Sequence, residues 1–376
     1  MPTPHGITPT AGQGLLHGDR EGRIAGYVLK VIRQVLGSTQ EDLAERLRVD
    51  VTTVQGWESG RRPLTAVSAG TYLRIRHFLL RSGASPRLLP QLDTAMEADR
   101  FIGYVLSSEG PIELDGHPLA SWVITRPFTD LLGWTFTGTA PAALAEAPVR
   151  RRGPAPPGPQ LAADERRHVM DHLRDAAEQA APDTAEGALL RRQAHYVAGY
   201  DQSSETVEWL AVMQRTEQRR LRSDEWTPSW AVVRSGAHTL ARQGDADALP
   251  QFIGVHVETD ECEIANLNYW AYWLGELTDP QLDDTFMIEV DLGAWHGDRL
   301  LEHLTAKLVA GNPYVDVVAH SLWSLVHRKP DAITPTRGTA LSSAAKRILD
   351  EDGAMSPQSR RELNEVLYAL RIIHRR

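Results

Sequence analysis

Ser38-Thr-Gln-Glu-Asp-Leu-Ala-Glu-Arg-Leu-Arg-Val-Asp-Val-Thr-Thr-Val-Gln-Gly-Trp-Glu-Ser-Gly-Arg-Arg62 is the stretch that decides how the chain begins to fold. Ser38 or Thr39 can cap a helix, with Glu41 or Asp42 three residues on, where the two side chains satisfy each other's backbone N–H groups. Leu43, Ala44 and Leu47 then share one apolar face, and Ala44 is small where a second helix would cross closely. Arg48-Val49 makes a short turn. Asp50 can cap a second helix. On that helix Val54 and Trp57 lie three apart and face Leu43 and Leu47.

Two short helices at this spacing form a helix-turn-helix unit, whose second helix enters the DNA major groove. The residues closely resemble the XRE type, the family of phage-repressor DNA-binding domains. Its pattern is Ser-Gln-Glu-Glu-Leu-Ala, a turn, and a polar helix ending in Trp-Glu-x-Gly. Here it appears as Thr39-Gln40-Glu41-Asp42-Leu43-Ala44 and Trp57-Glu58-Ser59-Gly60. The resemblance extends from Arg23 to Gly83. Ile24, Tyr27, Val28, Val31, Ile32 and Val35 line one face of a preceding helix that Gly37 stops. It implies a mainly α fold with an N-terminal five-helix domain over residues 21–83 and a recognition helix over about 51–58. It also implies that Gln40 opens the first helix on a phosphate or base edge. Val51, Thr52 and Gly56 take the base-facing positions, Thr53 and Gln55 stand beside them, and Arg61 and Arg62 hold backbone phosphates. This reading set is weak. Val51 offers apolar contact, as to a thymine methyl, while Thr52 serves several edges. Gly56 brings no side chain, and Gln55 compensates if the helix rotates. Arg48 stands where the family often has Gly; a left-handed residue there costs about 1–2 kcal/mol.

Length and charge set the frame. At about 150 residues per domain, 376 residues predict two or three domains. Apolar residues make 42% and charged residues 24%, a balance that buries a core and excludes disorder over most of the length. Against 40 Lys and Arg stand 49 Asp and Glu, a net −9 that speaks against a uniformly basic nucleic-acid binder. The segments differ, however. Arg20 to Pro90 holds 12 Lys and Arg against 6 Asp and Glu, so it carries +6 and the remainder −15. A basic module joined to an acidic one is the balance of a DNA-binding domain with a separate regulatory body. The single cysteine, Cys262, excludes an intrachain disulfide and a CxxC motif and fits a reducing cytoplasm. No signal peptide and no membrane span is expected. The high Ala, Arg, Gly and Pro content and scarce Lys resemble proteins of GC-rich actinobacteria.

Outward from the motif, residues 1–20 read as a flexible arm and 84–139 as a mixed connector. Ser121–Thr125 and Trp134–Thr139, β-branched and aromatic between Gly, Pro and Asp, allow one or two short strands. The Ala/Pro-rich stretch 140–160 reads as an extended, exposed linker. From 161 to 376 the signal is helical, near 162–181, 185–200, 203–222, 229–243, 260–276, 298–310, 314–327, 339–351 and 357–374. It predicts a regulatory or dimerisation domain built as a solenoid-like array or irregular bundle, without the fixed period of a named repeat.

Weaker constellations remain. His168 and His172 share a helix face, but Val169 replaces the zincin glutamate, and two exposed histidines are the plainer reading. His296 with His303 and His320 with His327 read as core-edge residues before any pH-sensing patch. Tyr269, Trp270, Tyr272 and Trp273 cover more than one face of a single helix. They mark a buried core helix or, with Asn266, Asn268 and Glu276, a small-molecule or protein effector pocket or interface. Gly12 to Gly18 imitates a dinucleotide loop with the wrong spacing, and neither a phosphate loop nor a nucleophile elbow is present. Acidic neighbours should raise the Cys262 pKa. Neither catalysis, a cofactor nor a metal site is therefore expected. The leading expectation is a cytoplasmic transcriptional regulator, dimeric on a palindromic double-stranded DNA operator. The alternative is a scaffold or antitoxin-like adaptor whose helical body binds a partner protein and is tethered to DNA.

Overall fold

The computed structural model describes residues 22–108, 112–114, 116–147, 158–221, 225–257, 259–351 and 355–373; the arm at 1–20 and its glycine-rich loop lie outside them. Among the described residues the regular structure is helical throughout, with 18 α-helices and no strand. No helix there is long and apolar enough to cross a membrane. The chain divides into two compact units. One comprises Met1–Pro111 and Pro127–His172, the other Ile112–Arg126 and Leu173–Arg376.

In the first unit, α1 (Arg23–Val35), α2 (Gln40–Leu47), α3 (Val51–Ser59), α4 (Ala69–Arg81) and α5 (Leu89–Ser107) make the five-helix domain. Of the apolar set anticipated from spacing, Ile24, Val28, Val31, Ile32, Leu43, Ala44, Leu47, Val54 and Trp57 are buried and Tyr27 and Val35 half-buried; α4 adds Ile75 and Leu79 to the core. The domain runs past Gly83, because α5 closes it. Leu92, Ala95, Phe101 and Ile102 are buried, and α5 packs along α1. Gly22 offers α1 no side-chain cap. Asp99 of α5 supplies one from a distance, its two carboxylate oxygens accepting from Ile24 N at 3.0 Å and Ala25 N at 2.8 Å.

The expected mixed connector is therefore mostly helix. Trp134–Thr137 finishes α6 (Arg126–Thr137), whose buried Phe128, Leu131, Leu132 and Trp134 follow a helical face that outweighs the β-branched flanks. Ser121–Thr125 is irregular, with Ser121 in the helical backbone region, and pairs with no strand among the described residues. Its polar groups go to helices and one loop instead: Gln193 Oε1 accepts from Ile124 N at 2.6 Å, Gln193 Nε2 donates to Trp122 O at 2.9 Å, Tyr272 Oη donates to Val123 O at 2.6 Å, and Val123 N donates to Gln281 O at 2.8 Å. The exposed linker expected at 140–160 is also corrected at its described ends. Ala142–Ala145 forms the short helix α7, Pro159 is buried, and a Cβ on Gly158 would stand 2.5 Å from Trp134 Nε1. α8 (Ala163–Gln179) follows, and Glu165 near its start accepts from both Arg23 Nη atoms at 2.9 and 3.0 Å.

The second unit is the helical array: α9 (Ala185–Ala198), α10 (Ser204–Arg220), α11 (Pro228–Arg242), α12 (Ala248–His256), α13 (Asp260–Trp273), α14 (Phe286–Glu289), α15 (Asp298–Lys307), α16 (Val315–Arg328), α17 (Pro335–Glu351) and α18 (Pro357–Ile373). Most consecutive helices pack, and so do helices two apart, α9 on α11 and α16 on α18. Sequence spacing located nine helices, α8 and eight of these ten, and missed α12 and α14. Two hydrophobic clusters fill the unit, and α13 serves both. Leu267, Trp270 and Ala271 enter one; Cys262, Ala265, Tyr269 and Tyr272 enter the other. A helix buried on two sides needs apolar residues all round, which is why its aromatics cover more than one face. Cys262 is fully buried.

Candidate nucleic-acid interface

The turn between α2 and α3 is built from the residues read as its caps. Thr39 Oγ1 accepts from Asp42 N at 3.0 Å while Asp42 Oδ2 accepts from Thr39 N at 2.8 Å. These bonds, the backbone one first, hold the Asp42 carboxyl below its usual pKa. Arg48 then takes the left-handed conformation, φ 57° and ψ 48°, the only non-glycine residue with positive φ among the described residues. It stores about 1–2 kcal/mol of strain where glycine would store none. Asp50 Oδ1 accepts from Thr52 N at 2.8 Å and from Thr52 Oγ1 at 2.6 Å, which caps α3 and lowers the Asp50 pKa. The Thr52 hydroxyl is thus aimed at its own cap, with its lone pairs left for an outside donor.

Burial then fixes which edge of α3 faces outward. Val54, Gly56, Trp57 and Glu58 are buried, while Thr52, Gln55 and Ser59 are exposed and Val51 and Thr53 are half-buried. Beneath that edge lies an ion pair the sequence did not disclose. Glu58 is 9% and Arg33 8% exposed, and Arg33 Nη2 donates to Glu58 Oε2 at 2.9 Å. Removing either partner would strand the other charge, at about 3–5 kcal/mol. Glu58 Oε2 also accepts from Gln40 Nε2 at 2.7 Å, and Gln40 Oε1 faces Gln55 Nε2 at 3.5 Å. Gln40 is therefore oriented from below, and its amide stands beside Gln55 at the rim of a depression of about 370 Å³. Arg23, Tyr27 and Lys30 line its far side.

Gly56 is not on the exposed edge. It lies under Arg62, whose backbone N donates to Gly56 O at 2.9 Å. A Cβ on Gly56 would stand 3.0 Å from Arg62 Cδ. The Arg62 Nη1 donates to Thr53 Oγ1 at 2.9 Å, so this guanidinium is carried back onto α3. Arg61 is exposed beside it. These contacts pair Gln40 with Gln55 and Thr53 with Arg62, while Thr52 turns to Asp50 and Val51 stands at the helix start. A second depression, of about 520 Å³, gathers further cations, Arg46, Arg48, Arg74 and Arg81, between α2 and α4. Cations thus line both depressions, Arg23 and Lys30 the first and four arginines the second.

The other candidate residues lie in the second unit. Tyr269, Trp270 and Tyr272 are buried and Trp273 is half-buried. Tyr272 is committed to structure through Val123 O. Trp273 stacks on Tyr269 with ring centroids 6.0 Å apart, and Tyr269 lies against Arg234 and Trp270 against His238. Of the histidine pairs, His168 Nε2 meets Val105 O at 3.1 Å. His172 is buried rather than exposed, edge-on to Tyr104. His320 Nδ1 meets Glu362 Oε1 at 2.8 Å. Among the described residues no group of three or more His, Cys, Asp or Glu is placed to hold a metal ion.

Comparison with known families matches residues 29–69 to the one described as Helix-turn-helix, a span from within α1 to the start of α4. No curated protein and no solved structure matches the chain significantly.

Proposed function

Taking residues 29–69 as an XRE-type helix-turn-helix domain of a DNA-binding regulator, we propose that the protein is a sequence-specific transcriptional regulator whose helix α3 reads the DNA major groove. It works in the cytoplasm as a homodimer on a palindromic operator and catalyses no reaction of its own. The second unit supplies dimerisation and senses an effector. The observation that carries the reading is the α3 edge, where Thr52 and Gln55 are exposed on a helix pinned by two caps and a buried ion pair. Selection of operators from random duplexes, followed by footprinting of the full chain, tests it. The expected footprint is palindromic, with Thr52→Ala and Gln55→Ala each weakening operator binding by about 5- to 150-fold (1–3 kcal/mol). Binding that shows no sequence preference, or that ignores both substitutions, overturns it.

A further inference from the structure

Helix α11 carries Arg234, His238 and Arg242 at successive turns, so the three side chains share one face. Across from it stands the aromatic helix α13. The Arg234 guanidinium lies 4.1 Å from the Tyr269 ring centroid and 5.6 Å from that of Trp270. His238 meets Trp270 edge-on at 5.9 Å and stacks on Tyr314 at 5.3 Å. The cluster runs outward from Arg234, 2% exposed, and Trp270, 8% exposed, to half-buried His238, Arg242 and Tyr314. Its outer end is therefore partly exposed.

What the cluster lacks is negative charge. Two neighbouring buried arginines each have a carboxylate, Arg191 with Glu217 and Arg192 with Asp284 at 2.7 Å. Arg234 has none among the described residues. Its Nε donates to the neutral amide oxygen of Asn266 at 2.9 Å, and its Nη2 is buried without a hydrogen-bond partner. Arg242 Nη2 donates to Tyr196 O at 3.1 Å, while its Nε is buried and unmatched. Trp270 Nε1 and His238 Nε2 are buried and unmatched as well. Three of these four nitrogens are obligatory donors, so the missing partner is an acceptor. A guanidinium buried without a carboxylate is also costly unless an anion joins it. The electrostatics agree with the geometry. Burial, with Arg192 adding repulsion, brings Arg234 down to about 10 despite Tyr269, and burial and then Arg234 and Arg242 hold His238 well below its ordinary value.

We propose that this cluster binds a small anion of carboxylate or phosphate type, its oxygens accepting from Arg234 Nη2, Trp270 Nε1 and Arg242 Nε, with His238 and Tyr314 at the mouth. As the effector site of the regulator it rests on the function proposed above; as an anion site it stands by itself. Bound there, the ligand removes the uncompensated charge from between α11 and α13, and α13 is the helix both hydrophobic clusters share.

The test uses the full chain without DNA, with sodium phosphate and sodium benzoate as probes and sodium chloride of matched ionic strength as reference. At about ten times its Kd, a bound probe should raise Tm by about 2–4 °C and change tryptophan emission through Trp270. A response to phosphate alone assigns a phosphate ligand, and one to benzoate alone a carboxylate. Arg234→Gln should keep the far-UV circular dichroism, show no lower Tm without probe, and lose the response. Arg242→Gln, at the half-buried rim, should weaken probe binding at least threefold and serves if the first variant fails to fold. No response beyond chloride in the wild type, or an undiminished response in a folded variant, overturns the proposal. Operator binding is scored separately. Loss of the probe response leaves the DNA reading intact, and a protein that binds the probe but no operator keeps the site and loses the regulator.

Discussion

Beyond α3 the chain turns at Gly60, left-handed at φ 79°, and this turn lets Arg62 fold back until its stem covers Gly56 and its guanidinium reaches Thr53. The sequence offered Gly56 as a gap in the reading edge and Arg62 as a trailing phosphate clamp. Their relation was not legible, because it depends on the path of the turn rather than on either residue. On the function proposed above, a guanidinium laid on α3 would be a base-edge donor with the reach that Val51 lacks. Arg62→Ala should weaken operator binding about tenfold. Gly56→Ala, which gains about 1 kcal/mol of helix propensity, should weaken it less by displacing the Arg62 stem. The double variant should bind no worse than Arg62→Ala alone, as coupled positions do. Strict additivity in the measured affinities would show that the two act apart.

Among the elements, α5 is the one whose role the sequence hid most completely, since nothing local says that Asp99 caps α1 some 75 residues earlier. Burial outweighs the two backbone N–H bonds and raises its carboxyl to about 7. The folded protein therefore holds this proton more tightly than the unfolded chain, where the value is about 3.9. The stability this proton brings is fully present below about pH 4 and is lost as pH rises to about 7, by at most about 4 kcal/mol. Asp99→Asn should flatten that fall in urea-derived stability, while lowering stability at all pH because an amide can accept only one of the two N–H bonds cleanly. An unchanged pH slope would place the titration elsewhere. The caps at Thr39 and Asp50 and the apolar faces of α1 to α3 were legible because local spacing determines them. Ser121–Thr125 misled for the opposite reason. Its composition favours a strand, but the groups that satisfy its backbone come from α9, α13 and the loop at Gln281.

For the molecule taken whole, charge is the property that scales. The Arg20–Pro90 segment carries +6 and the rest −15, so attraction to phosphates is concentrated in that segment. Each phosphate neutralised subtracts about 0.9 from the slope of log affinity against log salt. Arg61→Gln should make that slope shallower by about 0.9 per protomer, about 1.8 for a homodimer, with little change in sequence preference. A slope unaltered in titrations across salt would remove Arg61 from the phosphate contacts. The solitary cysteine gives the two units a further asymmetry. Its thiol is sealed in the second unit, and the first unit has none to react. The rate at which an aromatic disulfide reagent consumes it therefore times the breathing of the helical array alone. Guests that tighten the seam between α11 and α13 should lengthen that clock, whatever the DNA-facing unit is doing.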